Sequence, residues 1–156
     1  MIRYILKKWD ENKGFLEAVF KNMNEEQLND ISYKDLVEMI CEHVINVDFC
    51  DEQLKNYHVD TKAITEINDG DHQGTLIYLI PFGTYQPNEH EYFMTNVGYG
   101  SCPCCDTLQG IRYNEKEQMI KDYMTLCKDI CSDIIVPYNR EGTWYYNSDF
   151  DFVEFK

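Results

Sequence analysis

The hydrophobic pattern at the start of the chain predicts a short strand followed by a helix. Three apolar residues alternate with their neighbours at the first positions, namely Ile2, Tyr4 and Leu6. Alternation with a period of two is typical of a strand with one buried face. From about residue 10 to residue 23 this alternation is lost, and the stretch favours a helix.

A second helix is predicted to begin after Ser32. The Ser32 hydroxyl can cap its amino terminus, and Asp35 occupies the third helical position, as in a capping box with Asp in place of Glu. The apolar residues that follow recur at helical spacing: Leu36, Val37, Ile40, Cys41, Val44 and Ile45. This spacing predicts a helix with one buried face.

The middle of the chain has the pattern of strands. Residues 63–67 and 75–82 flank the stretch NDGDHQG, whose Asn, Asp and Gly residues tolerate the dihedral angles of turns, so a hairpin is predicted. Asp69, Asp71 and His72 in this stretch are interpreted as turn residues in preference to metal ligands. Residues 91–99, EYFMTNVGY, predict a third strand.

A later helix is predicted over residues 114–133. Its apolar positions recur at intervals of three and one: Ile120, Tyr123, Met124, Cys127, Ile130, Cys131 and Ile134. In the tail, residues 142–156, aromatic and acidic residues alternate and predict one or two strands. The order of elements predicts an α+β fold, with an antiparallel sheet, two amino-terminal helices and one later helix.

Length and composition indicate one globular domain over residues 1–156. A chain of 156 residues, 44% of them hydrophobic, has enough material for one sizeable core. The first residues lack the apolar stretch of a signal peptide, and no apolar run approaches the roughly 20 residues of a membrane span. We therefore expect a cytoplasmic protein with reduced cysteines.

The charge balance disfavours direct binding to nucleic acid. Asp and Glu number 28 against 14 Lys and Arg, which gives a formal net charge of -14 at pH 7. Because such a chain repels phosphate, a basic protein is the more plausible partner. Six carboxylates near the second predicted helix are the candidates for binding it: Glu25, Glu26, Asp30, Asp35, Glu38 and Glu42. We refer to residues 24–45, which contain them, as the acidic segment.

The cysteines predict a zinc site that joins a loop to the later helix. Cys102 and Cys105 have the two-residue gap that lets two sulfurs bind one ion from the same side. Cys127 and Cys131 are one helical turn apart and complete four Zn²⁺ ligands in the spacing C-x2-C-x21-C-x3-C. The predicted zinc-binding loop and helix span residues 99–134. Substitute ligands are Cys104 and three histidines, His58, His72 and His90.

Two other uses of these cysteines are open. Cys127 and Cys131 lie on an apolar face, where a thiol behaves as a small hydrophobic group, and the same holds for Cys41. The pair Cys102 and Cys105 also has the spacing of redox-active thiols. Asp106 follows this pair and is expected to raise the thiol pKa, which opposes reactivity. No nucleophile elbow, HExxH motif or phosphate-binding glycine loop is present, so no catalytic residues are assigned.

The stretch YGSCPCCDTLQGI, residues 99–111, and KDYMTLCKDI, residues 121–130, resemble a pattern in small uncharacterised proteins of phages and prophages of Gram-positive bacteria. Their C-x-x-C matches Cys102 and Cys105, while Cys104 departs from the pattern and leaves the ligand set open. In size, acidity and expected zinc content the chain also resembles phage-encoded anti-CRISPR proteins that inhibit Cas9.

This resemblance implies a phage-encoded inhibitor that acts inside the host bacterial cell. Cas9 holds its nucleic acids in positively charged channels, so an acidic protein bound there would block DNA loading. We therefore expect a non-enzymatic, zinc-stabilised Cas9 inhibitor. Two alternatives are a metal- or thiol-dependent enzyme that uses Cys102 and Cys105, and a zinc-stabilised interaction module with no link to defence.

Overall fold

Helices form the first part of the chain. The structure is a computed structural model that describes residues 2–47, 58–82, 86–88 and 91–135. Its first three helices are α1 (Ile2–Asn22), α2 (Glu25–Asp30) and α3 (Tyr33–Ile40), and α3 continues into one π-helical turn (Cys41–Ile45). The predicted helices at residues 10–23 and after Ser32 are confirmed, and α2 is an addition.

The predicted opening strand is wrong, because α1 begins at Ile2. The buried residues of α1 recur at intervals of three or four, with Lys8 and Trp9 side by side: Ile5, Lys8, Trp9, Asn12, Leu16 and Phe20. This is the spacing of one helix face. The alternation at the first positions was too short to outweigh this longer periodicity.

Capping boxes start both α2 and α3. At α3 the Asp35 amide donates to the Ser32 hydroxyl oxygen at 3.1 Å, and the Ser32 amide donates to the Asp35 carboxylate at 2.8 Å. This pair is the predicted one, and the structure confirms it. At α2, Asn24 and Gln27 exchange the same two bonds at 2.8 and 2.9 Å. Each box satisfies amide donors that a helix leaves unpaired in its first turn.

A three-stranded antiparallel sheet follows a short 3-10 turn (Thr61–Ala63). Its strands are β1 (Thr65–Asn68), β2 (Gly74–Pro81) and β3 (Tyr92–Tyr99), in the order β1-β2-β3. The register pairs Tyr78 with Thr95 and Ile80 with Phe93, and all four side chains are buried. The predicted hairpin and third strand are confirmed.

Two helices follow the sheet and complete an α+β fold. They are α4 (Thr107–Ile111), which the sequence pattern did not predict, and α5 (Lys116–Ser132), which confirms the helix predicted at residues 114–133. After α5, Ile135 pairs with Met94 of β3 through backbone hydrogen bonds of 2.8 Å in both directions. The strands predicted in residues 142–156 lie outside the described residues.

The buried apolar side chains of the helices and the sheet form one cluster. The rings of Phe20 on α1 and Tyr123 on α5 stack with centroids 5.3 Å apart. The sheet joins the same core, because the buried Thr95 hydroxyl donates to the Ile130 carbonyl on α5 at 3.2 Å. Within the ranges that the structure describes, no helix is long and apolar enough to cross a membrane.

Two polar side chains of α1 donate hydrogen bonds to backbone carbonyls in and just after the π-helical turn that follows α3. The buried Asn12 amide donates to the Val44 carbonyl at 2.9 Å, inside the π turn. The Lys8 ammonium donates to the Val47 carbonyl at 2.7 Å. These two bonds satisfy carbonyl groups near the carboxyl end of a helix, where intrahelical partners run out.

The Tyr123 hydroxyl supports a first prediction, because it donates to the Leu28 carbonyl at 2.6 Å in a buried position. Tyr123→Phe removes the donor and leaves that carbonyl unsatisfied. We expect the free energy of unfolding to fall by about 1–3 kcal/mol in urea titrations. Tyr113→Phe is the control, since Tyr113 is 79% exposed, and it should have no effect. Equal stability of the two variants would contradict this role of Tyr123.

Candidate functional site

The candidate site is the exposed turn Cys102–Cys105, which connects β3 to α4. The two sulfurs are in direct contact, with Cys102 Sγ 2.6 Å from Cys105 Sγ. The backbone closes the turn, because the Cys105 amide donates to the Cys102 carbonyl at 2.9 Å. Cys104 and Cys105 are exposed and Cys102 is partly exposed. The turn therefore presents a pair of adjacent thiols that solvent can reach.

The buried carboxylate of Asp106 holds this turn on the protein. It accepts a hydrogen bond from the Gln109 amide at 2.9 Å, which caps α4, and one from the Gly100 amide at 3.2 Å. A third bond comes from the Tyr33 hydroxyl of α3, at 3.1 Å. Tyr33 in turn accepts a bond from the Leu108 amide at 3.2 Å. Both ends of the turn are therefore bound to the same buried group.

Close packing at Gly100 completes the support of the turn. A Cβ atom placed on Gly100 would lie 2.7 Å from the Cys105 Sγ and would also meet the Cys105 backbone carbonyl. Only glycine permits the Cys105 carbonyl and sulfur to lie this close to the backbone at position 100. The Gln109 side-chain amide donates to the Gly100 carbonyl at 3.0 Å from the other side. The position of the Cys105 sulfur is therefore set by backbone contacts.

The electrostatics of Cys102 differ from the expectation that Asp106 would raise the pKa of the neighbouring thiols. The pKa of Cys102 is lowered, mainly by a hydrogen bond from the Cys105 side chain and further by the backbone amide of Cys104. The Asp106 carboxylate is buried and already accepts three hydrogen bonds. A thiolate on Cys102 is thus favoured by its own turn.

The other two predicted zinc ligands, Cys127 and Cys131, are completely buried on the inner face of α5. Cys41 of the π turn is also completely buried and interacts electrostatically with Cys131. Burial raises the pKa of all three thiols, and it raises that of Cys131 to about 12. These residues have the environment of core cysteines.

The four predicted ligands Cys102, Cys105, Cys127 and Cys131 are not assembled into one metal site. In residues 2–47, 58–82, 86–88 and 91–135, no three His, Cys, Asp or Glu side chains are grouped so that they could hold a metal ion. One pair lies on an exposed turn and the other inside the core. Zinc binding by all four cysteines therefore stays a prediction, and the separation of the two pairs does not support it.

The substitute ligands do not change this result. Cys104 lies in the exposed turn beside Cys105, and His58 and His72 are exposed. His90, like Cys50, lies outside the described residues. With two adjacent sulfurs, the turn lacks half of the tetrahedral set that structural zinc requires.

The six predicted partner-binding carboxylates lie on the helices of the acidic segment. Five of them are exposed, and Glu38 is half-buried. Glu38 forms an ion pair with Lys34 at 3.8 Å, and Asp35 caps α3 through Ser32. The opposite sides of these helices are buried.

Comparison with known proteins adds no functional assignment: no family model, curated protein or solved structure matches the chain. The candidate site therefore depends on geometry alone. Sequence reasoning missed the hydrogen bond between Tyr33 and Asp106, which are 73 residues apart and meet in the folded chain. The one signal for Asp106 was its position three residues before Gln109, which is typical of a helix cap.

Gly100→Ala tests whether backbone packing holds the cysteine turn. The new methyl group would overlap the Cys105 carbonyl and sulfur, so the turn has to move. We expect the free energy of unfolding to fall by about 1–3 kcal/mol, measured in urea. Gly98→Ala is the matched control, because a Cβ there meets nothing within 4 Å, and its stability should be unchanged or slightly raised. If Gly100→Ala behaves like Gly98→Ala, the turn is not held in this way.

The buried thiols predict a loss of stability at alkaline pH. The pKa of Cys131 is raised from an ordinary value of 9.0 to about 12, so the unfolded chain releases this proton at lower pH than the folded chain. The contribution of the Cys131 thiol to the free energy of unfolding is therefore fully present below pH 9.0 and is lost between pH 9.0 and about 12. The slope for one such thiol is about 1.4 kcal/mol per pH unit.

Urea unfolding under reducing conditions, at about pH 8 and about pH 10, measures this slope. Cys131→Ala should flatten it by the contribution of one thiol, whatever the variant loses in absolute stability. Cys104→Ser, at an exposed position, should leave it unchanged. An unaltered slope in Cys131→Ala would show that Cys131 titrates alike in both states.

Proposed function

We propose that the protein is a binding protein that occupies a basic, nucleic-acid-binding surface of another protein. The contact is made by the acidic segment, through six carboxylates: Glu25, Glu26, Asp30, Asp35, Glu38 and Glu42. The result is that the partner can no longer load DNA. The observation that carries this function is the exposure of five of these carboxylates, all except the half-buried Glu38, on helices whose apolar sides are packed in the core.

The direction of the carboxylates follows from the packing of α2 and α3. Leu28 of α2 is buried, as are Leu36 and Val37 of α3. The acidic residues of the same helices must then face outward or lie at the edge of the buried side. Since the apolar sides already have partners, what these helices offer to another molecule is mainly negative charge.

The local charge balance favours a cationic partner. The acidic segment contains one lysine, Lys34, against its six carboxylates. Lys34 is paired with Glu38, and the Asp35 carboxylate is engaged in the cap, so four carboxylates have neither of these roles. Lys and Arg side chains of a partner can pair with carboxylates through charge-assisted hydrogen bonds. Opposite charge also accelerates encounter at low ionic strength.

The resemblance to phage-encoded anti-CRISPR proteins supplies the class of partner. Cas9 binds its nucleic acids in positively charged channels and reads them through backbone and shape. A negatively charged protein in such a channel competes with the phosphate backbone of DNA. We therefore propose Cas9 as the partner and inhibition of DNA loading as the activity.

The experiment measures DNA binding and cleavage by a purified Cas9–guide complex in the presence of the full chain. The test variant neutralises five carboxylates and keeps the Asp35 cap: Glu25→Gln, Glu26→Gln, Asp30→Asn, Glu38→Gln and Glu42→Gln. Exposed ion pairs contribute about 0.2–1 kcal/mol each, so we expect inhibition to weaken by about tenfold or more. Raising the salt concentration should weaken inhibition by the unmodified chain as well.

The control variant removes the same amount of charge from other exposed positions: Asp71→Asn, Glu115→Gln, Glu117→Gln, Asp129→Asn and Asp133→Asn. It should inhibit almost as well as the unmodified chain. Equal losses in both variants would show that overall charge acts without a defined surface. A chain that never inhibits Cas9, at any salt concentration, would refute the proposed function itself.

A further inference from the structure

The exposed turn Cys102–Cys105 has a geometry that the proposed function does not use. Its two sulfurs are in contact at 2.6 Å, and Cys105 is exposed while Cys102 is partly exposed. By contrast, Cys41, Cys127 and Cys131 are completely buried. The described chain therefore has one place where two thiols are both adjacent and accessible.

We propose that Cys102 and Cys105 form a thiol–disulfide exchange site that reduces small external disulfides. The substrate class is a low-molecular-weight disulfide, RSSR, whose sulfur atoms can approach the surface of the turn. The chain is oxidised by two electrons and acquires an internal Cys102–Cys105 disulfide. A reduced small thiol or dithiol restores the starting state.

The exchange proceeds in two displacements that balance without another reactant. One cysteine of the pair attacks a sulfur of RSSR as its thiolate, the S–S bond breaks, and the first RS⁻ leaves. The second cysteine then attacks the sulfur of the first, breaks the mixed disulfide and releases the second RS⁻. The two protons from the cysteine thiols go to the departing thiolates as two RSH. The external disulfide is reduced and the cysteine pair is oxidised.

The support of the turn favours the second displacement. The Cys105 amide is bonded to the Cys102 carbonyl at 2.9 Å, and the Cys105 sulfur packs against Gly100. Asp106 binds the Gly100 amide on one side of the turn and the Gln109 amide on the other. The attacking sulfur is thus already placed next to its target, and intramolecular steps gain most from such placement.

Cys104 is an internal control for this chemistry. Cys104 lies in the same turn and is exposed, so it shares the access of the pair. Exposure alone would make Cys104 as good a site as its neighbours. A difference in outcome between Cys104 and the pair therefore isolates the effect of sulfur contact.

The test incubates the full, pre-reduced chain with oxidised glutathione, stops exchange with acid, and alkylates the remaining thiols. Intact mass and peptide mapping then report glutathione adducts and internal disulfides. For the unmodified chain and for Cys104→Ser, we expect Cys102 and Cys105 to lose alkylation together and to be joined to each other. Cys41, Cys127 and Cys131 should stay reduced as long as circular dichroism shows a folded protein.

Cys102→Ser and Cys105→Ser remove one partner at a time. Each is expected to stop at a glutathione adduct on the remaining cysteine of the pair. This adduct should persist at least about tenfold longer than an adduct on Cys102 or Cys105 in Cys104→Ser, because the sulfur that contacts it in the unmodified pair has been removed. Persistent adducts on Cys102 or Cys105 in the unmodified chain, or a disulfide that uses Cys104, would overturn the proposal.

Metal content provides an independent outcome. Zinc bound in stoichiometric amount to the purified chain, with the Cys102 and Cys105 thiols protected from alkylation until a chelator is added, would overturn the exchange site in favour of a metal centre. These measurements do not involve Cas9. Failure of the exchange site and failure of the proposed function are therefore distinguishable.

Discussion

The hydrogen bond between the Tyr33 hydroxyl and the Asp106 carboxylate links the two parts of the molecule on which its proposed chemistry depends. Tyr33 begins α3, the helix that carries two of the six acidic carboxylates, and Asp106 follows the cysteine turn. Burial of Tyr33, together with the charge of Asp106 and the hydrogen bond to it, raises the pKa of the hydroxyl to about 12, although the bond from the Leu108 amide acts in the opposite direction. The group therefore remains a neutral donor at ordinary pH. A buried carboxylate needs such donors, because an unpaired charge in the interior is costly.

Local patterns were sufficient to predict most of the fold. The capping box at Ser32 and Asp35, the apolar stripe that follows it and the hairpin at residues 63–82 depend on interactions within a few residues, and the structure confirms them. The prediction of an opening strand failed because three alternating residues are weaker evidence than six buried positions on one helix face. Helix α4 was missed because five residues contain too little periodicity to predict a helix.

The candidate site was less accessible to sequence reasoning. The spacing of Cys127 and Cys131 suits metal ligands and core residues equally, since both require side chains on one helix face. Only the packing of α5 places these thiols inside the core. Similarly, Asp106 was interpreted as a charge beside the cysteines, while its actual partners include a tyrosine from a distant helix. Contacts over such separations have no local signature.

The bonds from Asn12 and Lys8 to the carbonyls of Val44 and Val47 have a consequence for how the fold can be shortened. The donors belong to the amino-terminal helix, and the acceptors belong to the end of the segment that follows α3. A chain that began after Asn12 would lose both donors and would leave the Val44 carbonyl without this buried partner. Truncation from the amino end would therefore damage the interior before it removed any acidic carboxylate of α2 or α3.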